Sequence, residues 1–157
     1  ASPIFDLQKL TWMNGEYIRQ TQNSKLKTQI YEFYDKDKEV LEYLKNESKS
    51  LDLILNLAKT RMKTLQEFKN LIIPKIPELS DEEKNIAKIL LEKFSAIKNW
   101  DKEAILSAMR EVFSLHKTKG SVLYKITTGF EKGLPLPEAL EILGKEKTLK
   151  RIRKAFQ

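Results

Sequence analysis

The chain has 157 residues, of which 41% are apolar and 9% aromatic, enough for a packed core in one medium domain or two small ones. It carries 29 Lys or Arg residues and 22 Asp or Glu residues, a formal net charge of +7. It has no cysteine and no run of about eighteen apolar residues, so the sequence predicts no disulfide, thiolate metal site or membrane-spanning helix.

Helical periodicity dominates the first half of the chain. Glycine and proline number only five each in the whole sequence, and they fall between stretches in which apolar residues recur every three or four positions. The sequence therefore predicts an all-α fold. Phe5, Leu7, Leu10, Met13 and Ile18 fall roughly on one side of an opening helix. The predicted inward residues of the following helices are Leu26, Ile30 and Phe33 in a second, Val40, Leu41 and Leu44 in a third, Leu51, Ile54, Leu55 and Ala58 in a fourth, and Leu65, Phe68 and Ile72 after it.

The stretch IIPKIP (residues 72–77) interrupts this pattern. Pro74 and Pro77 both lack a backbone N–H and restrict the local backbone, which makes the stretch the best internal boundary. We therefore expect two consecutive helical-bundle subdomains, residues 1–76 and residues 77–157.

The second half begins with a helix start signal. Ser80 can cap a helix, and Glu83 stands three residues later, where it completes a capping box. Trp100 and Asp101 precede a further helix. The predicted inward residues of these two helices are Ile86, Leu90, Phe94 and Ile97, followed by Ile105, Met109, Val112 and Phe113.

Glycines mark the ends of the last helices. Residues 122–128 form a short helix that should stop at Gly129, and the next helix should begin at Pro137 and end at Gly144. In the final helix we expect Leu149, Ile152 and Phe156 to face inward, and Lys147, Lys150, Arg151 and Lys154 to face outward.

The search for catalytic chemistry finds little. His116 is the only histidine, so a histidine metal cluster is excluded, and its place after an amphipathic helix favours a solvated imidazole. The acidic run from Asp81 to Glu83 is explained by the positive end of a helix. An unrecognised enzyme therefore has little support from the residues.

Positive charge is concentrated at one end of the sequence. Residues 114–157 contain ten Lys or Arg residues and four Glu residues, a net charge of +6. A polyanion is the obvious partner for such a segment. The alternative is that these cations lie on a solvated helix face and only complement the helix dipole.

Five motifs carry a family resemblance. FDLQKLTWMNGEYIRQ (residues 5–20) resembles the segment that follows the catalytic core in bacterial-type glutamyl-tRNA synthetases. RMKTLQEF (residues 61–68), NWDKEAI (residues 99–105), ITTG (residues 126–129) and ALEILGKEKTLKRI (residues 139–152) are similar to later landmarks of that family, in the family's order. Together they extend over nearly the whole chain, which resembles the C-terminal anticodon-binding region of these class I ligases.

The resemblance implies two all-helical cages that recognise the anticodon of tRNA(Glu). The family's nucleotide-binding signatures do not occur here, and the opening helix follows Ala1-Ser2-Pro3 directly, so we expect a piece of a longer enzyme that is inactive alone. The full enzyme would charge tRNA with glutamate using ATP and magnesium, whereas this part would need no cofactor or metal. We expect a cytoplasmic monomer that binds neither membrane nor DNA.

The resemblance assigns the base-reading role to Arg61, the arginine before TLQEF. Glutamate anticodons end in C and glutamine anticodons in G. Cytosine offers two acceptors on its Watson–Crick edge, whereas guanine offers two donors and one acceptor, and an arginine guanidinium only donates. Arg61 would therefore bind cytosine and reject guanine. The alternative is an ordinary surface arginine near a helix end.

The resemblance places the other anticodon contacts around the ITTG turn and the following loop. The family often has an arginine where Tyr124 stands. Tyr124 could stack on a base or belong to the core, and Lys125 could supply the cation or be solvated. Two leucines of the loop could pack against bases or only anchor it. The residues at these places are Tyr124, Lys125, Thr128, Gly133, Leu134 and Leu136.

Two further groups have other expected roles. Trp12, Asn14 and Tyr17 lie in a helix that would join the anticodon cages to the catalytic body, so we expect packing roles and a partly exposed apolar face. Lysine is a compact point charge with little base specificity, so the last helix should contact phosphates. Those expected phosphate contacts are Lys145, Lys147, Lys150, Arg151 and Arg153.

A rival class remains open on the sequence. A free-standing helical adaptor could use the same basic end to bind generic RNA or an acidic protein. Preference for one anticodon over another would separate the two classes.

Overall fold

The computed structural model describes residues 6–157, so Phe5, the first apolar residue assigned to the opening helix, lies outside the described residues. Within that range the chain forms ten α-helices and one short 3-10 turn, with no strand, which confirms the predicted all-α class. No helix in residues 6–157 combines the length and the apolar character needed to cross a bilayer.

The chain divides into two compact units. The first ends at Ile73 and the second begins at Pro74, whereas the sequence predicts the division between residues 76 and 77. The difference arises because residues 74–77, here called the proline linker, are attached to the second unit. The Lys75 N–H donates to the Thr128 carbonyl at 3.0 Å.

The first unit contains five α-helices: α1 (Leu7–Gln20), α2 (Asn23–Phe33), α3 (Lys38–Asn46), α4 (Leu51–Lys59) and α5 (Phe68–Ile72). A 3-10 turn (Leu65–Glu67) precedes α5. Most of the predicted inward residues of α2 to α5 are buried, since these helices pack their apolar stripes together. The buried apolar residues of this core include Leu26, Ile30, Val40, Leu44, Leu51, Ile54, Leu55, Ala58, Phe68 and Ile72.

Most apolar residues of the opening helix are exposed. Leu7, Leu10 and Met13 are 67%, 45% and 50% exposed, and only Gly15 and Ile18 of α1 are buried. The helix packs on the unit through the face that carries these two residues. Its other apolar face is left uncovered by the described residues, as we expected for a helix that joins another body. Phe33, at the end of α2, is also exposed.

The second unit contains the other five helices: α6 (Asp81–Ser95), α7 (Lys102–His116), α8 (Gly120–Thr128), α9 (Leu136–Leu143) and α10 (Lys145–Phe156). The last helix packs against α6, α8 and α9, so it closes this bundle. The buried core includes Ile86, Leu90, Phe94, Ile105, Met109, Val112, Leu123, Ile126, Leu140, Leu149 and Ile152.

The predicted capping box of α6 and the glycine ends of α8 and α9 are confirmed, whereas α8 begins at Gly120 and not at the predicted Val122. The Glu83 N–H donates to Ser80 Oγ at 3.2 Å, and the Ser80 N–H donates to the Glu83 carboxylate at 2.9 Å. Gly129 and Gly144 end α8 and α9 with φ of +82° and +90°, which suit glycine. Helix α9 begins at Leu136, one residue before the predicted Pro137.

Candidate functional site

Arg61 lies in the turn that follows α4, with its side chain exposed. Its backbone is held on both sides of the residue. The N–H groups of Arg61 and Met62 both donate to the Ala58 carbonyl at 2.9 Å, and the Met62 side chain is fully buried. No hydrogen bond or ion pair of the Arg61 guanidinium is found within residues 6–157. An anchored backbone therefore presents an available, donor-only side chain.

The residues after Arg61 are also fixed. The Glu67 carboxylate accepts from the N–H groups of Lys63 and Thr64 at 2.6 and 3.1 Å. The buried Tyr34 hydroxyl donates to the carbonyls of Leu65 and Gln66, at 2.6 and 3.0 Å. Burial raises the pKa of Tyr34, so its hydroxyl remains a donor at neutral pH.

The tail of the WMNG motif supports the same segment. The Asn14 side-chain amide donates to the Lys63 carbonyl. A Cβ added at Gly15 would lie 3.1 Å from Lys63 Cγ, so the glycine permits a close approach of α1. Asn14 thus holds the segment that carries Arg61.

The two aromatic residues of that motif lie on the surface. Trp12 and Tyr17 are 58% and 52% exposed. Lys25 donates to the Tyr17 hydroxyl at 3.0 Å, and this hydrogen bond together with the ammonium charge lowers the pKa of Tyr17. Neither ring is packed in the core of the unit, and the two rings lie on different sides of α1 because they are five positions apart.

The predicted contact loop of the second unit is anchored from below. The Tyr124 hydroxyl donates to the Leu134 carbonyl at 2.7 Å, and the Tyr124 ring lies beneath Gly133. Leu134 and Leu136 are buried, at 8% and 3% exposure. Of the two roles considered for these leucines, this geometry favours anchoring the loop over packing against bases.

The side chains of two polar residues of α8 form hydrogen bonds or an ion pair within the protein. The Thr128 hydroxyl donates to the Tyr124 carbonyl at 2.7 Å and accepts from the Phe130 N–H at 3.2 Å. Lys125 pairs with Glu83 at 2.9 Å, with both side chains about three-quarters buried. Hydrogen bonds from Lys125 and from the Ser80 backbone lower the pKa of Glu83. The Lys125 ammonium is therefore bound to the Glu83 carboxylate, with about a quarter of its side chain exposed.

The cations of α10 fall into two groups. The Lys145 ammonium donates to the Ser95 and Ile97 carbonyls at 2.9 and 2.6 Å, so it caps the C-terminal end of α6. Lys147, Lys150 and Arg151 line a groove beside the proline linker, and Arg153 is exposed outside that lining. Lys147 and Arg151 also interact with other residues of the chain, so Lys145 is not alone among the predicted phosphate contacts in having partners within the protein.

Several supporting residues escaped the sequence reading. Glu67 had a local signal, because Thr64 and Glu67 have the spacing of a capping box. Tyr34 had none, because its partners lie more than thirty positions away along the chain. In residues 6–157 no group of His, Cys, Asp or Glu is arranged to hold a metal ion.

Comparison with known proteins gives a consistent family. A family profile described as "Anticodon binding domain" matches residues 32–156. Glutamate–tRNA ligase 1 of Fervidobacterium nodosum is 31% identical, over 95% of this chain and 32% of that protein. Glutamate–tRNA ligase of Clostridium botulinum is 34% identical, over 98% of this chain and 34% of that protein. The chain thus spans about a third of the length of these relatives.

A solved structure shares the fold. The glutamate tRNA ligase from Elizabethkingia meningosepticum superposes with a TM-score of 0.65 and 21% identity, over 99% of this chain and 33% of that one. The helical arrangement described above is therefore found in a structure of low sequence identity. Because the family profile covers most of the residues, this chain belongs to the anticodon-binding domain family.

Proposed function

We propose that this chain is the anticodon-recognition region of a glutamate–tRNA ligase and that it binds tRNA(Glu). The observation that carries the proposal is the exposed, unpartnered Arg61 guanidinium on an anchored turn, in a chain of the anticodon-binding family. The names of its relatives support glutamate as the amino acid. The complete enzyme would act as a cytoplasmic monomer and supply ATP, magnesium and the catalytic step from its other part.

The reading step follows from base chemistry. Anticodon bases are unpaired, so a protein can reach their Watson–Crick edges. The Arg61 guanidinium donates to O2 and N3 of the last anticodon cytosine. With guanine at that position, donors would face donors. By analogy with base-edge contacts in DNA, the difference amounts to roughly 1–3 kcal/mol. Because Met62 and Glu67 fix the backbone around Arg61, less backbone freedom would be lost on binding than in a mobile turn.

The second unit would contribute the other anticodon contacts. The loop that contains Gly133 is supported by Tyr124, Leu134 and Leu136, so its exposed backbone groups would meet RNA while these side chains hold it. Thr128 and Lys125 would act by fixing the base of the loop. The exposed cations Lys147, Lys150 and Arg153 and the half-buried Arg151 would contact phosphates, with Lys145 as a helix cap.

The exposed face of α1 would dock on the rest of the enzyme. Leu7, Leu10, Trp12 and Met13 form an exposed apolar group on one helix, which is typical of an interface rather than of a free surface. A free-standing adaptor, the rival function, leaves this face without a purpose.

The experiment compares two transcripts by filter binding. One is glutamate tRNA, and the other is the same tRNA with the last anticodon C changed to G. The parent protein should bind the first transcript about tenfold or more tightly than the second, within the expected difference of ~1–3 kcal/mol. Arg61→Gln should abolish the preference, because glutamine offers both a donor and an acceptor. Arg110→Gln, an exposed arginine of α7, is the matched control and should keep it. Equal retention of both tRNAs by the parent would reject base reading and favour the adaptor.

A further inference from the structure

A groove of about 440 Å³ runs between the proline linker and α10 within the second unit. Its size is within the range of small-molecule sites. Cations line both sides, apolar side chains lie between them, and no carboxylate belongs to its lining. The lining cations are Lys75, Lys147, Lys150, Arg151 and Lys154, and the apolar residues include Ile76, Ile126, Leu143 and Ala155.

The α10 side of the groove is a continuous cationic stripe. Lys147, Lys150, Arg151 and Lys154 are spaced i, i+3, i+4 and i+7, so they share one face and extend over about 10 Å of the helix axis. Lys147 and Arg151 also interact with other residues of the chain, whereas Lys150 and Lys154 are exposed. Two like-charge pairs at i, i+4 weaken an isolated helix, and a bound anion would relieve that repulsion.

The opposite side of the groove is preformed. The Lys75 N–H is bonded to the Thr128 carbonyl, and the Lys75 ammonium lies 4.6 Å from the centroid of the Phe130 ring. Gly129 lies so close beneath the linker that an added Cβ would collide with the Lys75 carbonyl oxygen. Ile76, the next residue, remains 72% exposed in the lining. The linker is therefore held in place, and it contributes Lys75 and the uncovered Ile76 side chain to the groove lining.

We propose that this groove binds a single-stranded segment of the RNA, with phosphates on the two cationic sides and a ribose or base over Ile76. This inference rests on the proposed function, which supplies RNA as the polyanion. The mixed lining selects the single-stranded form. An unpaired nucleotide has both a charged phosphate and an apolar face, whereas a duplex hides its base faces and offers mainly phosphates and hydroxyls. An exposed isoleucine between cations can contact the apolar face of an unpaired nucleotide, and it gains no such contact from a duplex.

The test uses the whole chain and substitutes exposed residues only. Ile76→Asp places a carboxylate among the cations, and Leu115→Asp repeats that change at a 64% exposed leucine outside the groove. The double variant Lys75→Gln/Lys154→Gln removes one cation from each side, with Lys88→Gln/Lys119→Gln as the control of equal charge. Circular dichroism verifies that all four variants keep the parent's helix content.

Each variant is titrated with glutamate tRNA over a range of salt concentrations. Both groove variants should bind on the order of tenfold more weakly, and the double variant's log–log salt slope should fall by roughly 0.7 for each lost single-strand phosphate contact. The control variants should stay within about twofold of each other. Groove variants that bind as tightly as their controls would overturn the proposal.

Two competitors identify the form of RNA. Oligouridylate should displace tRNA from the parent and lose that ability with the groove variants, whereas duplex RNA of the same length should compete equally with all. The reverse pattern, or displacement by polyglutamate alone, would refute a single-strand groove.

The anticodon preference separates this proposal from the proposed function. Groove variants should weaken binding of the C-ending and G-ending tRNAs by the same factor, because Arg61 is unchanged. A parent without anticodon preference whose groove variants still lose affinity rejects base reading and keeps the groove. If the parent prefers the C-ending tRNA and the groove variants bind as tightly as their controls, base reading is kept and the groove is rejected.

Discussion

Positively charged residues have different roles in this chain because their neighbouring groups differ. Arg61 is exposed on an anchored turn, while Lys125 is paired with Glu83 and Lys145 is bound to two carbonyls. Pairing of this kind neutralises a cation locally, and a lysine that already donates to carbonyls gains less from a phosphate. Net charge therefore overstates the number of cations available to RNA.

Tyr34 illustrates a support that acts at the residue scale. We expect Tyr34→Phe to lower the free energy of unfolding by about 1–3 kcal/mol, because two carbonyls lose their donor and the Lys69 N–H loses its acceptor. Urea denaturation measures the change. Tyr31→Phe, at a tyrosine that is 37% exposed, should shift it by less than about 0.5 kcal/mol. Equal effects of the two substitutions would contradict the bonding role of Tyr34.

At the scale of elements, the end of α8 organises the second unit. The same turn ends the helix at Gly129, accepts the Lys75 N–H and supports the loop from Phe130 onward through the Thr128 hydroxyl. The ITTG motif is thus a junction between a helix, the proline linker and the loop. Gly129 of this motif adopts a left-handed backbone and also permits the close approach of the Lys75 carbonyl oxygen.

Gly129→Ala tests that junction. A left-handed backbone costs a residue with Cβ roughly 1–2 kcal/mol, and collision with the Lys75 carbonyl adds to the loss. Stability measured by urea denaturation should fall accordingly. Gly120→Ala is the matched control, since Gly120 begins α8 without a positive φ and has open space around it, and it should be neutral or stabilising by up to about 1 kcal/mol. Comparable losses in both variants would argue against the junction.

At the scale of the whole molecule, charge is distributed unevenly over the sequence. Six of the seven net positive charges belong to residues 114–157, which contain α8, α9 and α10. A cationic surface on a packed bundle attracts a polyanion by long-range steering and by release of its counterions.

The affinity for glutamate tRNA should therefore depend steeply on salt. We expect it to drop by about two orders of magnitude or more between roughly 50 and 200 mM monovalent salt, because several phosphates are neutralised at once. Filter binding over that range measures the slope. A flat response would show that the basic surface does not contact the RNA.

Local features of the sequence determined much of this protein. The helices, the Ser80–Glu83 capping box and the glycine ends of α8 and α9 were predictable, because they depend on neighbours three or four positions away. The five motifs also led to the family that the comparisons confirm. The roles of the candidate site residues, including Arg61, remain predictions.

Only the tertiary structure decided which side chains are free and which are occupied. The partner of Tyr34 lies 31 residues away, that of Lys125 lies 42 away and that of Lys145 lies 50 away. It also left the apolar face of α1 uncovered and brought the proline linker beside α10 to form the groove. Such contacts join segments distant along the chain, and no local period or spacing encodes them, because they form only when the packed core brings those segments together.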